Sequence, residues 1–437
     1  MPPTLSPEGV RDALRAIGRP ALAELLSRHA QTPLADYSAW LHRPRPTRPL
    51  EPALARAFRA ELGRSSLDPA MIAQAMETLE QARVIQTGTH VTASEGPIFF
   101  AMHALATLAL PRETPYVVGA CSGIPFSNNA RPGCLNFSRR YPLSAFLHGR
   151  SRAYRQRLPA FEKSDSDERR LSLLPWSARE APVWRAPIPR EMGALLPWLR
   201  SPLRDLLSPA VPGASFARWA LSTCEAVESK LLDRRLIFLD LNEVVAAYLG
   251  EVLGDAGHPL TRALFTPALR DRMFAGLPEM ALFTTAEGSK EHPLFVPLRL
   301  QGEVLCGPRT QIPWQPSAIV EGIQSGALCP GVFLTFATMA FLGDFRCLGG
   351  VDQLEYLPLF REACLRGELL SPAEAEGCSL DGLTSGRCVD AAGEAVYPLD
   401  MLLGTRWRIP EEGTLLGYLA PQLPRLLLRP FKWGLGT

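Results

Sequence analysis

The order of apolar and polar stretches between residues 84 and 126 predicts two buried strands joined by a helix. Val84 and Ile85 begin an apolar run that leads into a loop rich in glycine and hydroxyl side chains. Residues 98–110 are apolar around nearly the whole circumference of a helix, which is typical of a helix buried against a sheet. Residues 116–120 form a second short apolar run. This order predicts a βαβ unit with a ligand crevice at the strand ends.

The loop after the first strand contains the residue types that bind an anion. Its glycines let backbone amides approach a ligand, and its hydroxyl groups add further donors. Pro97 suits the first turn of the following helix, because its missing amide hydrogen would be unpaired there in any case. The amino end of that helix would direct a partial positive charge at the loop. The candidate ligand-binding residues are Thr87, Gly88, Thr89, His90, Thr92, Ser94 and Gly96.

Helical and strand-like segments alternate along the rest of the chain, which favours an α/β fold with a Rossmann-like parallel sheet. Asp68 and Pro69 form a cap and first-turn pair for one helix. Asp240 and Asn242 follow a predicted strand, where Asn242 either contributes to a ligand site or only caps the next helix. The pattern predicts helices at 20–29, 51–62, 68–82, 353–366 and within 331–345, strands at 236–239 and 294–300, and a hairpin or ordered loop at 302–314.

Clusters of proline suggest where the parts of the chain meet. We predict an N-terminal helical region with a proline-rich arm (1–82), a Rossmann-like core with helical insertions (83–370) and a proline-rich C-terminal extension (371–437). No stretch approaches the roughly 20 apolar residues that a membrane span needs, and the first residues lack the apolar centre of a signal peptide.

Charge and cysteine content narrow the class of protein. With 46 basic and 44 acidic residues the formal net charge is +2, which gives no reason to expect nucleic acid or a membrane as a partner. An arginine-rich stretch at 139–157 is either a solvated face or an anion-binding wall. The 9 scattered cysteines contain no CxxC pair, so we expect neither a disulfide framework nor a metal site. Reduced cysteines also favour a cytoplasmic location.

Two histidines and one cysteine are the candidates for chemistry. His90 lies among hydroxyl residues, where an imidazole could move a proton or merely cap backbone amides. His103 lies within the apolar helix, which favours a buried histidine with structural partners. Cys121 ends the second strand and is either a nucleophile with a lowered pKa or a small buried apolar residue.

Two further loops add candidate ligand-binding residues. The loop after the second strand has donors that could bind a carboxylate or phosphate, or could satisfy its own turn: Ser122, Ser127, Asn128, Asn129 and Arg131. Gly349 and Gly350 precede a predicted helix and form a second candidate anion loop. The chain has no GxSxG, Walker lysine, HExxH or GxGxxG in the required context, which removes several common enzyme classes.

Two segments resemble the family of cysteine-adding enzymes of bacillithiol biosynthesis. The segment TGTHVTASEGPIFFAMH at 87–103 resembles that family's TG(H/Q)Q…TGP(L/I)Y…K segment. The segment at 326–360 resembles the stretch in which an RP-containing helix leads to a Gly-Pro-Gly-Glu-x-x-Tyr loop, with Gln353 in place of the glutamate. The matching residues are Thr87, Gly88, Gly96, Pro97, Gly350 and Tyr356.

This resemblance implies a fold, an activity and partners. It implies a Rossmann-like core of the nucleotidylyltransferase type and a ligase or transferase that condenses an amino acid, cysteine in that family, with a second small molecule. It also implies ATP or another nucleotide as the cofactor, and a homodimer. Gln353 and Tyr356 become candidate substrate-binding residues through the same likeness.

Departures from the family leave a second hypothesis open. Where the family has an acidic Glu-Asp-His-Asp-Phe run, residues 122–126 read SGIPF and keep only the phenylalanine. His103 replaces the family's lysine, and the part after Leu370 is short for the family's long coiled-coil helices. The two hypotheses are a biosynthetic ligase or transferase, and a non-catalytic binding or scaffold relative that has lost the acidic run.

Overall fold

The computed structural model describes residues 6–65, 67–92, 96–127, 134–138, 162–164, 168–172, 180–188, 196–201, 203–208, 214–277, 280–289, 292–407 and 409–431. Within these ranges the strands are β1 (Val84–His90), β2 (Tyr116–Cys121), β3 (Cys134–Ser138), β4 (Glu162–Ser164), β5 (Glu168–Ser172), β6 (Leu236–Asp240), β7 (Phe283–Gly288), β8 (Pro293–Gln301), β9 (Val304–Cys306), β10 (Gln311–Pro313), β11 (Cys329–Pro330) and β12 (Arg346–Leu348).

The helices in the same ranges are α1 (Pro7–Ala16), α2 (Pro20–His29), α3 (Leu34–Leu41), α4 (Pro52–Leu62), α5 (Pro69–Ala82), α6 (Pro97–Thr107), α7 (Leu203–Leu207), α8 (Phe216–Leu232), α9 (Leu241–Val252), α10 (Pro259–Phe265), α11 (Pro267–Phe274), α12 (Pro316–Gln324), α13 (Val332–Phe336), α14 (Val351–Arg366), α15 (Pro372–Gly377), α16 (Pro398–Leu402), α17 (Leu415–Leu419) and α18 (Leu423–Leu427). Short 3-10 turns lie at Val183–Arg185 and Leu196–Trp198, and a π-helix at Ala337–Leu342.

A parallel sheet of four strands, in the order β12-β1-β2-β6, forms the core that positions the candidate site. The α/β class and the βαβ unit β1-α6-β2 predicted from the sequence are confirmed. After β1 the chain moves through β2 to β6, and β12 then returns to pair with β1 on its other side. The order of the strands therefore reverses between β12 and β1, which is where open α/β sheets usually bind ligands.

Side chains alternate between the two faces of this sheet, as the pleat of a strand requires. In β6, Leu236 and Phe238 pack into a cluster with α1–α3, α6 and α8. Ile237 and Leu239 pack into a second cluster with α4, α5 and α9 on the opposite face. Helices therefore cover both faces, which explains why the strands read as continuous apolar runs rather than alternating ones.

The predicted helices lie where their patterns and caps indicate. Asp68 accepts a hydrogen bond from the Met71 amide (2.8 Å) at the start of α5, and Pro97 occupies the first turn of α6. Helix α6 is buried along its last two turns, as its apolar sequence predicts. The capping role considered for Asn242 is wrong: Asp240 caps α9, because its Oδ1 accepts from the amides of Asn242 and Glu243.

Two antiparallel sheets accompany the core. One has the order β10-β9-β8-β7-β11, and it confirms the strand expected at 294–300 and the hairpin expected at 302–314. The other joins β3, β5 and β4. The helix expected within 331–345 is α13 followed by the π-helix.

The N- and C-terminal segments pack directly on the core. Glu355 of α14 accepts hydrogen bonds from the amides of Ala21 (3.1 Å) and Leu22 (3.0 Å), and so caps α2 from another helix. Arg45 of the proline-rich arm pairs with Asp344 at 2.7 Å. The three-part division at 82 and 370 stays a prediction, but residues from all three parts share both hydrophobic clusters.

No helix in the described ranges is both long enough and apolar enough to cross a membrane.

Candidate functional site

The two glycine-containing loops meet at the switch between β12 and β1. A Cβ placed on Gly88 would lie 2.8 Å from the Gly349 Cα and 3.0 Å from the Gly350 amide nitrogen. The backbone of β1 is irregular here, because its register with β2 shifts between Gln86 and Thr89. We call Gly88, Gly349 and Gly350 the glycine junction. Only glycine lets the two backbone segments approach each other so closely.

Two predicted substrate-binding side chains hold this junction together. Thr87 Oγ1 lies 3.2 Å from both the Leu348 carbonyl oxygen and Gln353 Oε1. Gln353 Nε2 donates to the Cys347 carbonyl oxygen at 2.8 Å. Both side chains are buried, so their polar groups join the ends of β1, β12 and α14 within the protein.

His90 and Cys121 lie side by side at the ends of β1 and β2. They are register partners in the parallel pair, and both are half-buried. The His90 ring meets the Phe99 ring edge to face, with centroids 5.4 Å apart. Burial lowers the pKa of His90 to about 4, so this imidazole is neutral near pH 7. A neutral imidazole can accept a proton or a hydrogen bond, but it is a weak base.

The environment of Cys121 does not activate its thiol. Burial, and secondarily the nearby Asp240 carboxyl, raise the pKa of Cys121 to about 12. Cys121 in turn contributes to raising the pKa of Cys329 and of Tyr356, so these three side chains surround one region at the strand ends. The thiol is protonated near pH 7, and the lowered pKa that a nucleophilic cysteine needs is not provided here.

Thr89 points away from His90 and ends a buried chain of hydrogen bonds. Thr89 Oγ1 lies 2.8 Å from His103 Nε2, and His103 Nδ1 lies 2.6 Å from Glu228 Oε2. All three side chains are fully buried. Burial raises the pKa of Glu228 well above its usual range, which favours a neutral or proton-sharing pair with His103. His103 is thus a buried histidine with structural partners, as its position in an apolar helix predicts.

The end of β2 is fixed from α9. Asn242 Oδ1 accepts hydrogen bonds from the amides of Ser122 and Gly123, both at 2.9 Å. Asn242 Nδ2 donates to the Pro330 carbonyl oxygen at 2.9 Å, which ties this corner to β11. Ser122 is fully buried, and its hydroxyl donates to Asp240 Oδ1 at 2.8 Å.

Buried carboxyl groups gather beside this corner. Glu61 Oε1 accepts from the Asp240 amide (3.0 Å) and from the Arg218 guanidinium (2.8 Å). Burial is the main cause that raises the pKa of Asp240, to about 8, and the charges of Glu61 and Glu243 contribute to this shift. Burial also raises the pKa of Glu61, while Arg218 lowers it. We call Asp240, Glu61 and Ser122 the acid cluster; groups with strongly shifted pKa values are common at functional sites.

The remaining candidates divide into described and undescribed residues. Thr92 is buried, Gly96 is the N-cap of α6 without a side-chain bond, and Gly350 is the N-cap of α14. Tyr356 is half-buried, with its ring 5.3 Å from that of Phe336, and Ser127 is exposed. Ser94, Asn128, Asn129, Arg131 and the arginine-rich stretch at 139–157 lie outside the described residues. Their proposed roles stay predictions.

Sequence reasoning missed Glu61, Arg218 and Glu228. Each lies in a helix and contacts a residue distant in sequence: Glu61 is 179 residues from Asp240, Arg218 is 157 residues from Glu61, and Glu228 is 125 residues from His103. The one local signal was Asp240 itself, a carboxylate at the end of a buried strand. In the described part of the chain, no group of three or more His, Cys, Asp or Glu residues could hold a metal ion.

Comparisons with known protein families and with curated proteins found no match for this chain.

Proposed function

We propose that the protein binds a small polar molecule at the carboxyl edge of its parallel sheet, and that it acts there as a ligase or transferase. In this proposal it condenses an amino acid with a second small molecule. The likeness of residues 87–103 and 326–360 to the bacillithiol cysteine-adding enzymes favours cysteine as the amino acid.

One observation supports this proposal most strongly. The ends of β1, β2 and β6 bring half-buried His90 and Cys121 beside the acid cluster, next to the strand-order reversal between β12 and β1. Titratable side chains with shifted pKa values at the carboxyl edge of a sheet are common at binding and catalytic sites. Catalysis would depend on positioning and on proton transfer from neutral groups.

A nucleotide fits the proposal as a second ligand. The resemblance implies ATP or another nucleotide and a core of the nucleotidylyltransferase type, and the helices α6 and α14 begin at Gly96 and Gly350 at this edge. Neither N-cap glycine has a side chain that would compete with a phosphate for the amides of the first turn, which in α6 begin at Ile98 because Pro97 has no amide hydrogen. A homodimer belongs to the same resemblance.

The pKa values favour a second candidate, a non-catalytic binding protein. Near pH 7 His90 is neutral, with a pKa of about 4, and the Cys121 thiol is protonated, with a pKa of about 12. A crevice lined by uncharged groups can select a ligand without transforming it. In this candidate the protein binds the small molecule at the same site but does not catalyse a reaction.

A thermal-shift screen followed by product analysis separates these candidates. The full-length protein is heated with L-cysteine, other amino acids, ATP and sugar phosphates, and active combinations are examined by mass spectrometry. We expect a rise in melting temperature that His90→Gln and Cys121→Ser reduce, because both side chains border the crevice. The matched controls are His292→Gln, at an exposed histidine, and Cys306→Ser, at a half-buried cysteine of β9.

The outcomes are distinct. A condensed product supports the ligase or transferase, and a melting shift without product supports the binding protein. A shift that His90→Gln and Cys121→Ser leave as large as the control variants do would contradict the location of the site.

A further inference from the structure

Asp240 lies among acidic side chains, and the nearby arginines pair with these neighbours and not with Asp240. The Asp240 amide donates to Glu61, and Glu243 follows in the first turn of α9. Arg218 pairs with Glu61 at 2.8 Å, and Arg64 pairs with Glu61 at 3.5 Å and more closely with Glu243 at 2.5 Å. Within the described ranges Asp240 forms no ion pair, although only 3 % of it is exposed. A buried carboxylate without a cation is costly, and protonation removes that cost.

The two carboxyl oxygens of Asp240 accept different numbers of hydrogen bonds. Oδ1 accepts from Ser122 Oγ (2.8 Å), the Asn242 amide (3.0 Å) and the Glu243 amide (3.4 Å). Among the described residues, Oδ2 accepts none. In a neutral carboxylic acid one oxygen is a carbonyl acceptor and the other carries the proton. The pattern therefore fits a carbonyl at Oδ1 and a hydroxyl at Oδ2.

We propose that Asp240 is held as a neutral carboxylic acid and that it supplies the proton for the reaction at the sheet edge; the second part rests on the proposed function. In the transfer, the amino nitrogen of the amino acid forms the new bond while the bond to the leaving oxygen of the second substrate breaks. The Oδ2–H bond breaks, its electron pair stays on Asp240, and the leaving oxygen takes the proton. The amino nitrogen gives up a proton to water, and water returns a proton to Asp240. The hydroxyl of Ser122 and the two amides then stabilise the carboxylate, because hydrogen bonds to an ionised group are the stronger ones.

The electrostatic surroundings agree with this assignment. Burial is the main cause that raises the pKa of Asp240, to about 8, with contributions from Glu61 and Glu243; the bond from Ser122 and the charge of Arg218 act in the opposite direction. Cys121 on β2 and Cys329 on β11 also face this group, and their own raised pKa values keep both thiols protonated near pH 7. An acid with a pKa close to the working pH is well suited to proton transfer.

The substitution Asp240→Asn tests the protonation state without a substrate, because asparagine has the shape of the neutral acid and its oxygen can still cap α9. A group whose pKa is raised in the folded state stabilises it at low pH and loses that contribution as pH rises through the folded pKa. Wild-type melting temperature should therefore fall relative to Asp240→Asn between pH 5 and 8, and the difference should level off above about pH 8. The matched control is Asp68→Asn, at the exposed N-cap of α5, with no such divergence over this range.

Infrared spectroscopy provides a second measurement that does not depend on the variant's stability. At pH 7 the wild-type spectrum minus that of Asp240→Asn should contain a carbonyl-stretch band of a protonated carboxylic acid, and this difference band should weaken above pH 8. Absence of this band, or a wild-type melting temperature that stays constant or rises relative to Asp240→Asn from pH 5 to 8, overturns the neutral acid.

The donor role has its own readout. We expect Asp240→Asn to keep the ligand-induced melting shift and to lose at least tenfold in the rate of product formation, in the range of general acid catalysis. An unchanged rate overturns the donor role. The wild type could show the infrared band but neither a ligand-induced melting shift nor a product. In that case the donor role and the proposed function are both wrong, and the neutral state of Asp240 is still supported.

Discussion

The two halves of the sheet edge differ in what occupies them. At the glycine junction, between β12 and β1, backbone contacts backbone, and the neighbouring side chains of Thr87 and Gln353 are bonded to the protein. At the acid cluster, between β2 and β6, carboxyl groups with raised pKa values lie beside a serine hydroxyl. One half therefore fixes the geometry of the edge, and the other contains groups that can exchange protons. A substitution should accordingly change stability at the first half and pH dependence at the second.

The largest loss of stability is expected from Glu228→Ala, beneath the end of β1. The change removes the partner of His103 Nδ1 and leaves a fully buried imidazole without its acceptor. Removing one partner of a buried hydrogen-bonded pair costs about 1–3 kcal/mol, and the cavity left by the truncated side chain adds to this loss. Urea unfolding measures it, with Lys230→Ala on the exposed side of α8 as the control, expected within about 0.5 kcal/mol of wild type. A loss of similar size in both variants would mean that the chain Thr89–His103–Glu228 does not support β1.

A smaller loss is expected from Gly88→Ala at the glycine junction. Its new methyl group would lie 2.8 Å from the Gly349 Cα, and that backbone cannot rotate away as a side chain can. Overpacking of this kind costs about 1–3 kcal/mol. Gly96→Ala is the control at the N-cap of α6, because no heavy atom of the described residues, its chain neighbours apart, lies within 4 Å of the added group. Equal melting temperatures for the two variants would show that the two backbone segments at the glycine junction can move apart without loss of stability.

The smallest effects are expected at the acid cluster, where two substitutions should act in opposite directions on pH dependence. Ser122→Ala removes a hydrogen bond that lowers the pKa of Asp240, so the fall in stability with rising pH should extend beyond pH 8, at a cost of about 1 kcal/mol. Glu61→Gln removes a neighbouring negative charge and should end the fall below pH 8. Melting curves from pH 5 to 9 measure both; shifts in the same direction would contradict the proposed neighbours of Asp240.

Much of the fold could be predicted from the sequence because its signals are local. The apolar pattern that begins at Val84 predicted a strand, a helix and a second strand, and the second strand is found at 116–121. Asp68 and Pro69 predicted the start of α5. The antiparallel pairing of β3 with β5 could not be predicted, since strand pairing depends on contacts distant in sequence. Asn242 illustrates a local rule that another residue satisfied: Asp240, two positions earlier, is the N-cap, so Asn242 lies inside the first turn of α9.

The candidate site was predictable only at the residues that its own strands carry. The pattern identified the glycines of both segments and placed Cys121 at a strand end. It was wrong to put residues 87–90 in a loop, because β1 continues to His90 through them. The pattern could not give the pKa values of His90 and Cys121, because burial by residues from other segments sets them. Nor could it show that Gln353, chosen as a substrate ligand, has its amide nitrogen bonded to the Cys347 carbonyl oxygen.

The sequence by itself determined the α/β class, the βαβ unit and the loops that end its strands, because apolar periodicity, prolines and capping residues act over a few positions. Only the tertiary structure decided that Gly88 contacts Gly349 and that Glu61 lies against Asp240. The protonation state of a carboxyl group depends on solvent and charges within a few ångströms, and folding brings those from helices far away along the chain.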